Sequence, residues 1–302
     1  DRESIATIRR ALELGVNFLD TSASYGQGHN HRLIAEAIRG RRHEVVIHSK
    51  SGSPRDGNPD GTRGGSSAAY LRQTCETSLT NLSIETLDVF CMSRVDPNVP
   101  IEESVGAMAQ LVKEGKTRFI ALSECSAESL RRGSKVHPLV SLQMEYSLFS
   151  RDAEAQGQIA ACKEVGAAMM AYAVLGRGML SGAPPRPEEF SANDARANLP
   201  RFAAAHLAKN LELRAALETI AQRKNTTLAQ LAIAWTMARG KRAGTFIVPI
   251  PGAKSRRHLE ENIRAAELVL SDEDLAAIDR ISPPGAASGT RYPEGQMHRL
   301  NV

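Results

Sequence analysis

Asp20, Tyr25 and Lys50 are the residues whose types and spacing could move a proton in concert. Asp20 closes the apolar run Asn17-Phe18-Leu19, and Lys50 closes the run that begins Val45-Val46-Ile47. Both runs read as β-strands bounded by polar loops, with Tyr25 in the loop after the first. A free phenol has a pKa near 10, and a cation within roughly 4–6 Å favours its ionised form. A lysine held by a carboxylate beside a tyrosine would therefore let that tyrosine protonate a carbonyl oxygen while hydride reaches the carbon. An Asp, a Tyr and a Lys also coincide by chance in polar sequence, so the trio gains its weight from the elements around it.

Those elements belong to a chain of 302 residues with 42% hydrophobic residues, enough for one large core. A net charge of +4, mixed along the length, points away from nucleic acid and from a membrane surface as partners. No apolar run approaches the roughly 20 residues of a membrane span. Four scattered cysteines with no C-x-x-C pair suit a reduced, cytoplasmic setting. His29 and His31 come nearest to a metal pair, but they read as part of a solvated loop, and no metal site is expected. No exposed apolar stripe marks an oligomer contact.

The chain opens at Asp1 directly into the helical pattern Ile5, Ile8, Leu12, as the interior of a domain would. Seven strand candidates follow, at residues 17–20, 45–50, 87–92, 118–123, 140–146, 167–174 and 245–250. Amphipathic helices are expected between them, among them 66–82, 101–114, 127–135 and 155–164. Thr227 to Gln230 has capping-box spacing and starts a helix that buries Trp235. Strand and helix in alternation predict parallel βαβ units. An open doubly wound sheet would bring a G-x-G-x-x-G turn after its first strand, and none occurs. The expectation is a single α/β domain over residues 1–302, a (β/α)8 TIM barrel whose first strand would precede Asp1. Two long connections, 51–65 and 176–199, leave the carboxyl ends of strands, where barrel active sites are built. The aperiodic tail 282–302 reads as a flap.

Several motifs then resemble one family over nearly the whole chain. They are Gly15-Val16-Asn17-Phe18-Leu19-Asp20-Thr21-Ser22-Ala23-Ser24-Tyr25-Gly26, Ser123-Glu124, Gln143-Met144-Glu145-Tyr146-Ser147, Ala171-Tyr172-Ala173-Val174-Leu175-Gly176-Arg177-Gly178, and Ile250-Pro251-Gly252-Ala253-Lys254 through Glu260-Glu261-Asn262. Together they resemble the aldo-keto reductases. The resemblance implies an NADP(H)-dependent reductase of small-molecule aldehydes or ketones. Tyr25 would be proton donor, Lys50 would acidify it, and Asp20 would hold Lys50. Ser123, Gln143 and Glu124 (where many members have Asn) would meet the nicotinamide carboxamide, and Tyr172 would stack on its ring. Leu175, Gly176 and Gly178 would follow the pyrophosphate, while Glu261 and Asn262 would meet the adenine; Gly252 belongs to the same cofactor-binding stretch. The basic run Lys254, Arg257 and His258 opens a helix, a setting that suits the charge and acceptor oxygens of a 2′-phosphate independently of any likeness.

One position departs from the pattern. Most of the family ends the third of these strands in a histidine followed by Arg-Val-Asp, whereas this chain has Ser93-Arg94-Val95-Asp96. Ser93 would then be the fourth catalytic residue, a shorter and neutral donor. Loss of one oxyanion donor costs about 10²–10³ in rate. The segment is similar to the fungal pyridoxal reductases, a branch of the same family. Two other readings remain open: a regulatory subunit that senses NADP(H), as potassium-channel β subunits do in this family, and a biosynthetic enzyme reshaped for a bulky carbonyl. His48, two residues before Lys50, shares its inward face; a packed place in a deeper layer is expected, with a lean towards the site as the alternative.

Overall fold

Among the described residues, apolar runs rich in Val, Ile, Leu and Phe become seven parallel strands, most of whose side chains are buried as such sheets require. The computed structural model describes residues 1–52, 65–192 and 194–302, so most of the 51–65 connection lies outside the described residues. The strands are β1 (Phe18–Ser22), β2 (Val46–Lys50), β3 (Leu87–Met92), β4 (Thr117–Ser123), β5 (Leu139–Glu145), β6 (Ala168–Tyr172) and β7 (Ile247–Pro249), hydrogen-bonded in chain order. The helices are α1 (Arg2–Glu13), α2 (His29–Ala37), α3 (Ala68–Leu82), α4 (Ile101–Lys113), α5 (Ala127–Val136), α6 (Asp152–Ala155), α7 (Gln158–Val165), α8 (Ala204–Arg223), α9 (Leu228–Ala243), α10 (Arg256–Ile263), α11 (Asp272–Ile281) and α12 (Glu294–Met297).

The sheet curls. Asp20 on β1 touches Gln143 on β5 at 2.8 Å, although four strand spacings of about 4.8 Å would part them in a flat sheet. This is the curvature of a (β/α)8 barrel, with seven strands among the described residues. β1 and β7 are its two edges, and they are less buried than the central strands: β3 is buried throughout, while Phe18, Leu19 and Val248 are not.

Helix ends follow their side chains. Thr227 and Gln230 form the expected capping box at α9, and Trp235 on that helix is fully buried, stacked on Tyr146 at 5.2 Å. The helix expected at 155–164 is α7 and starts only at Gln158, because Gly157 before it takes φ 84, a conformation open to glycine at no steric cost, and parts it from α6. The tail also differs from its aperiodic reading, since one turn, α12, forms within it. Among the described residues no helix is long and apolar enough to cross a membrane.

Candidate active site

Strand register assembles the acid–base cluster. β1 and β2 pair so that Asp20 lies opposite His48, and Lys50 follows two residues later on the same face. Lys50 Nζ donates to Asp20 Oδ2 at 2.5 Å; His48 Nδ1 and Gln143 Nε2 both donate to Oδ1 at 2.8 Å. Burial alone would push the Asp20 carboxyl up. The His48 hydrogen bond and the Lys50 charge outweigh it, and the carboxyl is held below the usual range. Burial likewise pulls the Lys50 ammonium down, and the charge of Asp20 more than reverses this, leaving it above the usual lysine value. The pair is therefore ionised at neutral pH.

Tyr25 follows β1 in a turn that takes left-handed backbone at Gly26 and Gln27. Its ring is 46% exposed, and Lys50 Nζ lies 5.0 Å from the ring centroid. An open phenol thus sits over a buried ammonium. Ser93 comes directly after β3, two residues beyond Cys91, which pairs with Lys50 in register. Its Oγ accepts from Gly52 N–H at 2.7 Å, and its own N–H donates to Ser51 Oγ at 3.1 Å. With its oxygen engaged as acceptor, the hydroxyl offers its proton as donor.

A second cluster lies over the ends of β4, β5 and β6. Ser123 is buried and pairs in register with Gln143. Glu124 is fully buried at φ 53, a conformation uncommon outside glycine. Its carboxylate accepts from Glu145 N–H (2.8 Å), from Tyr172 Oη (2.8 Å) and from both terminal nitrogens of Arg291 (3.0 and 3.2 Å). Tyr172 also shares a hydrogen bond with Tyr292 Oη at 3.1 Å. Burial first, then the charges of Glu124 and Glu145, push the Tyr172 phenol well up, so it stays protonated. Arg177 lies over the Tyr292 ring at 4.9 Å and donates to Glu145 Oε2 at 2.8 Å. Arg291, Tyr292, Arg177 and Glu145 were not singled out from sequence. The one available signal was the acidic residue at position 124, because a buried carboxylate needs a cation.

A groove of about 950 Å³ runs outward from β6. Leu175, Gly178, Gly252, Lys254, Arg257, His258, Glu261 and Asn262 line it together with Asp194 and Arg196; Gly176 lies just off it, in the small cavity beside Arg291. Gly178 has φ 97, and a Cβ there would come within 3.2 Å of Arg196 Nη1. Lys254, Arg257 and His258 are exposed at the start of α10, which Ser255 caps. Arg256 points elsewhere, to Glu3 at 3.1 Å. Arg257 Nη2 donates to His258 Nε2 at 3.0 Å, which draws these two side chains together. Among the described residues no group of His, Cys, Asp and Glu could hold a metal ion.

The chain is similar to known proteins over almost all of its length. The model of the Aldo/keto reductase family matches residues 1–283. The chain is 38% identical over 295 residues to the aldo-keto reductase str7 of Strobilurus tenacellus, covering 96% of this chain and 84% of that one. It is 36% identical to the aldo-keto reductase yakc [NADP(+)] of Schizosaccharomyces pombe, covering 98% and 87%. A crystal structure of an aldo/keto reductase from Klebsiella pneumoniae in complex with NADP and acetate superposes with a TM-score of 0.72 at 26% identity, covering 96% and 88%. Joined to the curled parallel sheet and the cluster at its carboxyl ends, these matches show that the chain belongs to the aldo/keto reductase family.

Proposed function

We propose that this protein reduces a small-molecule aldehyde or ketone to an alcohol, with NADPH as hydride donor and Tyr25 as proton donor. The observation that carries the reading is the exposed Tyr25 ring over the buried Lys50–Asp20 pair. NADP(+) in the name of the fission-yeast relative and NADP in the Klebsiella structure support the cofactor. The residues fit that group. The groove lies within the roughly 300–1,000 Å³ usual for ligand sites, and its outer end carries Lys254 and Arg257 for a 2′-phosphate.

When bound, the nicotinamide supplies the hydride. Ser123 and Gln143 would hold its carboxamide, and the Tyr172 ring would stack on the nicotinamide. Leu175, Gly176, Gly178 and Gly252 would border the pyrophosphate, Lys254, Arg257 and His258 would meet the 2′-phosphate, and Glu261 and Asn262 would meet the adenine. Glu124 we assign to holding the tail, which packs as a flap over these strand ends. Tyr25 gives its phenolic proton to the carbonyl oxygen, and the Lys50 ammonium stabilises the charge left on the phenol. Asp20 keeps Lys50 in place. Ser93 donates to the reacting oxygen where most relatives use histidine. A serine frees space there, and an aldehyde with its own phenol beside the carbonyl, as in pyridoxal, would supply the missing donor; pyridoxal and bulky carbonyls are the substrates to try first.

Tyr25→Phe tests the proposal. NADPH oxidation driven by pyridoxal or a panel of aldehydes should fall at least 10³-fold, while the dissociation constant for NADPH, read by calorimetry, stays unchanged. Equal turnover by the variant would overturn the assignment of Tyr25.

A further inference from the structure

His48 is buried completely, yet its side chain reaches the carboxylate beneath the proposed proton donor. Asp20 receives three donors from two strands: Lys50 and His48 from β2, and Gln143 from β5. An ionised carboxylate only accepts, so His48 Nδ1 carries the hydrogen of that bond. The ring otherwise faces apolar neighbours. Phe18 of β1 lies 5.8 Å away, and Val89 of β3 stands opposite in register. The Asp20 carboxylate that its Nδ1 touches is shared with Lys50, two residues on along the same strand. Its Nε2 has no partner among the described residues.

That orphan nitrogen matters to the argument. A buried polar atom without a partner costs free energy, and an aliphatic side chain would fill the same layer without the cost. The ring's useful contact is the bond to Asp20. Gln143, the other donor on Oδ1, is also assigned to the nicotinamide carboxamide, so its hold on Asp20 competes with that duty. The His48 bond does not.

We infer that His48 is a positioning residue for the proton-donor unit, holding Asp20 Oδ1 so that Oδ2 faces Lys50. By drawing on the charge of Asp20, it leaves more of the Lys50 charge to act on Tyr25. This rests on the reductase reading above.

The test compares three variants of the full chain. His48→Asn places an amide donor near the position of Nδ1, His48→Gln places one near Nε2, and His48→Leu offers none. A hydrogen bond to a charged group is worth roughly a tenfold to hundredfold effect. The inference expects kcat to fall by about that factor in the Leu and Gln variants, with the KM for the carbonyl and the dissociation constant for NADPH within twofold of wild type, and Asn to recover most of kcat. Should the Leu variant not fold, as judged by circular dichroism, the Asn and Gln comparison stands by itself. Unchanged kcat in Gln, or equal losses in Asn and Gln, would overturn the inference. Wild-type protein that turns over no carbonyl, while still binding NADPH, would overturn the reductase reading and the inference with it.

Discussion

His31 should make stability fall steeply in mild acid. The side chain, expected in a solvated loop, instead lies on α2, fully buried, with Nε2 3.0 Å from Ser49 Oγ and Nδ1 without a partner among the described residues. Burial first, then the charges of Lys50 and Arg32, lower its pKa from 6.5 to about 4. The native protein therefore keeps this imidazole neutral where the unfolded chain has already protonated it. A depressed histidine contributes its stability fully above the unfolded value, and that stability is lost as pH falls from 6.5 towards 4. At pH 5 the unfolded imidazole is almost wholly charged and the native one about a tenth charged, a difference of about 2 kcal/mol relative to pH 7.5. His31→Gln keeps a polar contact for Ser49 and cannot titrate. Urea unfolding at pH 7.5 and pH 5, followed by the fluorescence of Trp235, compares each protein with itself, so any baseline difference between them cancels. Wild type should lose about 2 kcal/mol more than the variant across that interval. Equal losses would refute the reasoning and show that His31 is reached by protons in the native fold.

Three further outcomes follow from the site. Ser93→His, which returns the commoner donor, should raise kcat on small aldehydes by about tenfold or more; unchanged kinetics would show that this position does not reach the reacting oxygen. Arg257→Met should raise the KM for NADPH by roughly tenfold to a hundredfold and leave that for NADH nearly unchanged, read in steady-state assays with either dinucleotide. Arg291→Leu leaves the Glu124 carboxylate buried without its cation and should cost about 3–5 kcal/mol in urea unfolding, with partial recovery on adding Glu124→Gln.

Much of this was legible in local pattern. Residues 87–92 read as a strand from composition alone, and they are β3 to the residue. Alternation put His48 and Lys50 on one inward face, because side chains in a strand repeat every two residues. The reach of His48 to Asp20 was beyond that pattern, since alternation gives a face and not a depth. The join of Glu124 to Arg291 spans 167 residues, and the tail has no period from which to locate its anchor. Gly157 shows the converse limit: the apolar spacing of 155–164 runs straight through a residue whose backbone breaks the helix.

The bond from Gln143 to Asp20 has a consequence for how competence arises. The two residues are 123 positions apart and sit on strands that do not pair. A half-formed chain that has zipped only its first hairpin-like βαβ unit can bring Asp20 to Lys50, yet it cannot complete the carboxylate's ring of donors. Recovery of turnover after denaturation should accordingly trail recovery of helix content, making enzymatic rate a reporter of the moment the cylinder rolls up.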